Sequence, residues 1–446
     1  MTSLLWLRQD LRLHDHPALT AAAHAGAVIP VYVLDDEAPG AWRMGGAQRW
    51  WLHHSLTPLS KSLKEKGSKL ILRRGNAAEV LADLATETGA ETIHAIRHYE
   101  PWWRKLEDAL GDRLCLHDGN HLAPPEQVTT GSGGQYRIYS SFWKALQQQL
   151  PPDDPLPMPR SIPAPDTWPK SDRLADWNLL PTSPDWSGGF DWTPGEAAAL
   201  AKVKSLDIND YDTARNMPSQ EGSSRLSPHL HFGEVSPRTV WQATGRGDTT
   251  FRKELAWRDF TSGVIRALPR YGEENGRPAF DKLPWRTGAE ARRDLKAWQQ
   301  GRTGYPIVDA GMRQLWTTGW MHNRVRMITA SFLIKHLLID WREGERWFWD
   351  TLVDADYGNN AVNWQWVAGT GVDANMFGRI MAPLSQSAKF DAGDYIRQWV
   401  PELAGLADDV IHDPEGAGCR PRDYPAPLIG HREARERALA AGRKVR

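Results

Sequence analysis

The sequence predicts an α/β domain built on a parallel five-stranded, Rossmann-like sheet, followed by an all-helical domain. Two observations carry this. Between residues 3 and 120, short apolar runs alternate with helical patterns across short connections, which is the arrangement a parallel sheet requires. From about Gly195 onward the apolar spacing turns helical and β-rich segments are hard to find. A third observation separates the two regions: residues 151–195 hold 11 of the 31 prolines with little helical periodicity, the mark of a long surface connection. The expected division is residues 1–125, a linker at 126–195, and residues 196–446.

In chain order, the predicted strands are Leu4–Leu7, Ala27–Leu34, Lys69–Leu72, Thr92–Ile96 and Arg113–Leu116. Helices fall between them at Pro17–Ala25, Ala47–Lys66, Ala77–Thr88 and Pro101–Leu110. Pro17 and Pro101 suit first helical turns, and Gly89 suits a C-terminal cap. In the second domain, helical spacing covers Phe251–Leu268, Ile307–Thr317, Met321–His336 and Glu343–Val353.

Lys+Arg is 54 and Asp+Glu is 55, a formal net charge of −1. This excludes a polybasic coat or an acidic disordered chain and leaves room for one basic face. With only Cys115 and Cys419, neither a disulfide framework nor a Cys-rich metal site can form, and a reducing compartment is the simpler reading. The apolar N-terminal stretch is too short for a signal peptide, and no run approaches the about 18 apolar residues of a membrane span. A cytoplasmic, monomeric protein is expected. Tryptophan is in excess, 23 against 10 tyrosines and 10 phenylalanines, which points to a packed core, a stacking surface for flat ligands, or indoles used electronically.

Four segments could carry chemistry. In residues 211–236, Ser223, Ser224, Arg225 and Ser227 follow Gly222 and precede Pro228; hydroxyls and backbone N–H groups at a helix start suit phosphate, although an ordinary capped turn has the same pattern. In ELAWRDF, Glu254 and Trp257 share a helix face, as a polar-plus-stacking pair for a nucleobase or as an amphipathic helix with Trp257 in the core. In residues 319–341, Asn323, Arg326 and Met327 share a face and Arg324 is displaced from it; the alternative is a solvated basic turn. In residues 354–375, Asp354, Asp356, Asn359, Asn360, Trp364 and Trp366 suit hydrogen bonding around a flat heterocycle. A calcium loop starting at Asp354 would need Gly and Glu where Asn359 and Gln365 stand. No GxGxxG, GxxxxGK[ST], HExxH or GxSxG occurs. The pairs His14/His16, His53/His54 and His229/His231 lack a third ligand, so no metal site is expected.

Together these segments resemble the photolyase/cryptochrome family. RQDLRLHDHPAL, GSSRLSPHLHFGEVS, ELAWRDF, TGYPIVDAGMRQLWTTGWMHNRVRM and NWQWVAGTG occur in the family's order, and the likeness runs over nearly the whole chain. Class I enzymes that repair cyclobutane pyrimidine dimers look most similar. The resemblance implies an antenna-binding α/β domain and a helical domain holding FAD. It implies light-driven repair, in which excited FADH⁻ donates an electron to a flipped-out dimer and recovers it after the ring splits. Tyr211, Ser223, Ser224, Arg225, Leu226 and Ser227 would hold the phosphates and ribityl chain. Asn323, Arg326, Asp354, Asp356 and Asn360 would surround the isoalloxazine, with Asn360 facing N5. Glu254, Trp257, Asn323, Met327 and Trp366 would line the lesion pocket, and Arg215 and Arg324 would meet DNA phosphates.

The resemblance also assigns an electron chain to Trp364, Trp341 and Trp285, with Trp298 as the substitute for the last. A second chromophore is expected, an 8-hydroxy-5-deazaflavin type or FMN rather than methenyltetrahydrofolate, because residues 45–56 look like the former and residues 97–107 lack the folate pattern; Trp50, Trp51, Trp102 and Trp103 are placed near it. Arg246, Arg252, Lys253 and Arg258 would extend the DNA face. The alternative is a cryptochrome-type photoreceptor without repair, against which stand Glu254, the Trp257/Trp366 pair, Asn360 and the absence of a long C-terminal tail. Repair of (6-4) photoproducts is disfavoured because the corresponding segment offers only His322.

Overall fold

The structure is a computed structural model and describes residues 1–245, 249–374 and 377–445. Arg246 lies outside the described residues. Five strands, β1 (Thr2–Leu7), β2 (Ala27–Leu34), β3 (Ile71–Arg74), β4 (Thr92–Ile96) and β5 (Leu114–His117), form one sheet in the order β3-β2-β1-β4-β5. Every pairing is parallel. Central β1 is buried along nearly its whole length, as a parallel strand covered on both faces must be. Helices α1 (Pro17–Ala25), α2 (Gly46–Glu65), α3 (Ala77–Thr88) and α4 (Pro101–Leu110) cover it. Leu5 and Leu7 pack with residues of α1 and α2, and Leu4 and Trp6 with residues of α3 and α4.

Local chemistry sets the boundaries. His16 accepts from the Leu19 amide at 3.1 Å and Pro17 opens α1. Asn76 caps α3, and Gly89, at φ +65°, ends it. Strand β3 begins two residues later than its apolar run suggests, because the Ser68 amide closes the end of α2 on the Leu63 carbonyl at 2.9 Å. Strand β5 begins one residue late, because Gly111–Arg113 form a 3-10 turn.

Residues 126–195 carry no strand but include a helix that the sequence did not announce, α5 (Tyr139–Leu146). The proline-rich part runs over the α/β domain and is hydrogen-bonded to it through Asp15 N–Leu156 O (2.9 Å), Val28 N–Pro163 O (2.8 Å) and Asp172 N–Leu72 O (2.9 Å). The remainder is helical: α6 (Glu196–Lys204), α7 (Tyr211–Ala214), α8 (Ser227–His231), α9 (Pro237–Ala243), α10 (Thr249–Ala267), α11 (Gly288–Gln299), α12 (Pro306–Thr318), α13 (Asn323–Ser331), α14 (Trp341–Thr351), α15 (Tyr357–Ala368), α16 (Pro383–Lys389), α17 (Gly393–Trp399) and α18 (His431–Arg443). The single helix expected at Met321–His336 is α13 followed by a π-helical turn, Phe332–His336. It starts late because His322 is its cap, accepting from the Arg324 amide at 3.3 Å. Likewise α14 starts early, capped by Asp340 on the Arg342 amide at 3.1 Å. Among the described residues, no helix is long and apolar enough to cross a membrane.

The segment after β1 explains how the two domains meet. In open α/β sheets, ligands bind where the strand order reverses, outside the carboxyl ends of the strands. Here that place, between β1 and β4, is filled by the protein itself. Arg8, Asp10, Arg12, Asp15 and His16 are all buried. Arg12 donates to Asn120 Oδ1 (2.8 Å), Gly119 O (2.8 Å) and Gly233 O (2.9 Å). Asp15 pairs with Arg238, and Glu196 accepts from the Leu13 and His14 amides at 3.0 and 2.6 Å. Gly233 sits at φ +62°, where an added Cβ would lie 2.1 Å from the Gln9 carbonyl. The RQDLRLHDH signature is therefore the seal between domains, and the ligand cavities lie elsewhere.

Candidate functional site

The principal cavity of the helical domain, about 560 Å³, opens among α7, α10, α13, α15 and the loop before α8. Its lining contains Tyr211, Arg215, Ser223, Ser224, Arg225, Leu226, Ser227, Glu254, Trp257, Asn323, Arg324, Arg326, Met327, Asp354, Asp356, Asn360, Trp364 and Trp366. Segments more than 150 residues apart in the chain thus converge on one site. Trp285 and Trp341 do not line it.

The floor is built around α13 and α15. Asp354 takes a bidentate pair from Arg326, at 3.1 and 2.9 Å, and only 3 % of its side chain is exposed. Arg326 is also held by its Nε on the Met321 carbonyl, 2.7 Å. Asp356 caps α15, accepting from the Asn359 amide at 2.7 Å. Burial raises the Asp356 pKa, but His231 and the Arg258 guanidinium outweigh it, so this carboxyl stays ionised far below its usual range. Asn360 Nδ2 donates to the Glu345 carbonyl at 3.1 Å, which leaves Asn360 Oδ1 as an acceptor.

The loop 222–226 is held in a conformation that side chains avoid. Arg225 has φ +49°, a left-handed backbone costing about 1–3 kcal/mol for a residue other than glycine. Gly222 packs where an added Cβ would be 2.2 Å from the Ala214 carbonyl, so the loop is pressed against the end of α7. The Arg225 guanidinium lies over Trp192 and Trp320, 4.5 and 5.1 Å from the ring centres. Because α8 has five residues, its dipole is small, and any anion here relies on hydroxyls, backbone amides and Arg225.

At the mouth, Arg215 is ion-paired with Glu254. Trp257 packs against Tyr139 of α5, 4.7 Å between ring centres. Tyr139 lines the cavity although it comes from the segment expected to be a linker; no local pattern marked it. Arg324 reaches Asn216 and lies over Phe390 at 4.6 Å. Lys253 is exposed at the rim, whereas Arg252 packs over Trp241 at 4.3 Å and Arg258 turns inward to the Leu230 carbonyl at 3.0 Å. Buried donors surround the space: Arg225 Nε, Trp257 Nε1, Arg258 Nε and Arg324 Nε have no hydrogen-bond partner among the described residues, and orphaned buried polar atoms call for a bound group or water.

Behind the cavity, α14 and α15 carry the indoles. Trp364 is 3 % exposed, and Gly344 lets α14 approach it so closely that an added Cβ would lie 2.2 Å from the Trp364 ring. Trp341, one turn earlier on α14, is fully buried and donates to Asn275 Oδ1 at 3.0 Å. Trp285 is half-buried. Trp298 is fully buried, donates to the Thr329 carbonyl at 3.0 Å and stands 6.4 Å from Trp364; a ring with no solvent exposure does not suit the solvent end expected for it.

Glu345, also on α14, is fully buried with neither carboxylate oxygen hydrogen-bonded among the described residues. Burial pushes its pKa well above the ordinary 4.5, against the opposing pull of Arg342 and Arg346. The folded protein therefore holds a proton that the unfolded chain releases above about pH 4.5, and stability falls as pH rises beyond that point. Glu345→Gln carries no such charge. The melting temperature of wild type relative to this variant is expected to drop as the pH is raised above about 4.5, the ordinary carboxyl value, in scanning calorimetry; a constant difference would show that Glu345 is ionised in the fold.

A second cleft, about 760 Å³, lies between the domains. It is lined by Trp42, Arg43, Gly45, Gly46, Arg49, Arg74, Trp349 and Asp350, among others. The segment 45–56 contributes its beginning. Trp50, Trp51, Trp102 and Trp103 do not line this cleft; Trp51 is wholly buried and donates to Glu234 Oε1 at 3.0 Å, a packing role at the domain junction.

Comparison with known proteins agrees over the full length. The profile "DNA photolyase" matches residues 3–161, and "FAD binding domain of DNA photolyase" matches residues 251–444. A deoxyribodipyrimidine photo-lyase of Agrobacterium fabrum is 48 % identical, over 98 % of this chain and 97 % of its own. Cryptochrome-1 of Arabidopsis thaliana is 35 % identical over 98 % of this chain and 69 % of its own. A solved bacterial class III photolyase from Agrobacterium tumefaciens superposes with a TM-score of 0.93, at 48 % identity over 100 % of this chain and 97 % of that one. An archaeal photolyase from Sulfolobus tokodaii, described with two FAD molecules, gives 0.86 at 30 % identity over 100 % of both chains.

Proposed function

The chain belongs to the photolyase/cryptochrome family and is a light-driven DNA-repair enzyme that binds FAD; we propose that it splits cyclobutane pyrimidine dimers in DNA, and that the cavity of the helical domain holds the flavin with the flipped-out lesion beside it. The observation that carries this is the single cavity uniting Ser223–Ser227, the Arg326–Asp354 pair, Asn360 and the open Trp257/Trp366 mouth. The orphaned donors Arg225 Nε and Arg258 Nε fit a polar, anionic cofactor. When bound, FAD supplies light absorption and one-electron chemistry.

The residues do the rest. Ser223, Ser224, Arg225, Leu226, Ser227 and Tyr211 hold the phosphates and ribityl chain. Asn323, Arg326, Asp354, Asp356 and Asn360 surround the ring system. The Arg326–Asp354 pair is neutral as a unit and fixes the charge beside the ring, while Asn360 offers an acceptor whose orientation the Glu345 carbonyl locks. Trp257 and Trp366 stack on the displaced bases, Glu254 and Asn323 bind their edges, and Met327 packs against the dimer. Flipping costs a few kcal/mol and costs least for a damaged, poorly stacked pair, which favours lesions over intact DNA. Arg215, Arg324 and Lys253 face the backbone. Trp285, Trp341 and Trp364 relay electrons between solvent and the cavity. His322 disfavours (6-4) repair: burial, with Arg326 and Arg324, holds its pKa at about 4, and its ring caps α13.

The reading extends to an antenna-binding domain at 1–125, a linker at 126–195, a helical domain from 196, and a monomer in the cytoplasm. A second flat chromophore, of the deazaflavin type or FMN, is assigned to the interdomain cleft, whose arginines suit an acidic tail. Chromatography of chromophores released from the purified protein tests it; a folate would displace the assignment.

Trp257→Ala is expected to weaken binding of dimer-containing oligonucleotide by about 1–3 kcal/mol, the loss of one stacking platform, with undamaged DNA bound as before. Fluorescence anisotropy with the two oligonucleotides measures this. Equal weakening for both would assign Trp257 to the core.

A further inference from the structure

The edge strand β5 carries a side-chain cluster that the repair site does not use. Register places His94 of β4 opposite Cys115 of β5, and alternation returns His117 to the face of Cys115. The three residues bring one ligand atom each to within 4.8 Å of one another. His94 Nδ1 and His117 Nε2 are 3.0 Å apart. His94 is buried and its Nε2 has no hydrogen-bond partner among the described residues. His117 is half-buried, and Cys115 is free and exposed. None of the three lines the cavity of the helical domain.

We propose that His94, Cys115 and His117 form a three-ligand site for a zinc ion. Two imidazole nitrogens and a thiolate are a zinc donor set, with Zn–N about 2.0–2.1 Å and Zn–S about 2.3 Å; tetrahedral geometry then spaces the ligand atoms by about 3.3–3.6 Å. The ring nitrogens, 3.0 Å apart, need to part by a few tenths of an ångström, and the three ligand atoms already lie within 4.8 Å of one another. Calcium and magnesium are excluded by donor chemistry, since they require oxygen ligands and the cluster has no carboxylate. The exposed side of Cys115 leaves the fourth position to water. Binding releases the thiol proton to solvent and forms bonds from the sulfur and two nitrogens to the metal. The consequence is mechanical: β5 is an edge strand of the sheet, and the ion clips it to β4. Spacing hid the site, because His94 stands 21 residues before Cys115.

The test uses the full-length, FAD-loaded protein in the dark, stripped with a chelator and dialysed. Zinc is titrated against a chromogenic competitor, and Co²⁺ is added separately to read tetrahedral coordination from its visible bands beyond the flavin absorption. One ion per chain is expected. Cys115→Ser and His117→Ala should each weaken zinc at least about tenfold, and Cys115→Ser should dim the cobalt bands, with FAD content unchanged in both. Absence of stoichiometric binding, or an affinity unchanged by both substitutions, overturns the proposal.

Discussion

Asp354→Ala is expected to strip the purified protein of FAD and to destabilise the helical domain by about 2–3 kcal/mol. The carboxylate is buried and takes both terminal nitrogens of Arg326. Removing one partner of such a pair leaves the other charge without compensation, typically a loss of about 3–5 kcal/mol. The lower figure applies because the Arg326 side chain keeps 23 % exposure and water relieves part of the cost. Arg326 would then face the cavity as a bare cation, still tethered to the Met321 carbonyl. Asp354→Asn keeps the shape but not the charge and should fall between wild type and alanine. Flavin absorbance per chain and urea unfolding measure the two effects; full flavin occupancy in the alanine variant would remove the pair from the cofactor site.

Trp364→Phe has the other large effect. It should slow light-driven reduction of the bound oxidised flavin at least about tenfold, a barrier rise of ~1.4 kcal/mol or more, because a phenyl ring is not oxidised where an indole is. The fold should survive: Phe fills most of the slot beside Gly344 and Phe348, at less than the about 3–5 kcal/mol of truncation to alanine. Repair by protein reduced beforehand should persist, since the proposed lesion contacts are Trp257 and Trp366 and not Trp364. Photoreduction at the wild-type rate would place the relay elsewhere, for instance through Trp298, which also touches Trp364.

The sheet was legible because its central strands are buried on both faces and read as unbroken apolar runs; β2 and β4 fall where the sequence puts them. Edge strands β3 and β5 shift by one or two residues, since turn hydrogen bonds decide where they begin. The cavity was legible where one short segment supplies several groups, as Ser223–Ser227 and Asp354–Asn360 do. Contacts between distant segments were not. Nothing local announces that Arg215 pairs with Glu254, that Tyr139 of α5 packs on Trp257, or that RQDLRLHDH seals the domains. The tryptophan excess pointed to stacking and electron transfer, yet Trp51 proved to be a packing residue, and Trp186, Trp316 and Trp347 form a stacked ladder with no signal in the sequence.

Counting dimers tests the repair assignment. Protein with its flavin reduced beforehand is incubated with DNA containing cyclobutane pyrimidine dimers, under blue light and in the dark. Dimers are expected to disappear in the light, with intact pyrimidines recovered, and to persist in the dark. Persistence in both, with the flavin demonstrably reduced and the DNA bound, would contradict it and leave a photoreceptor without repair.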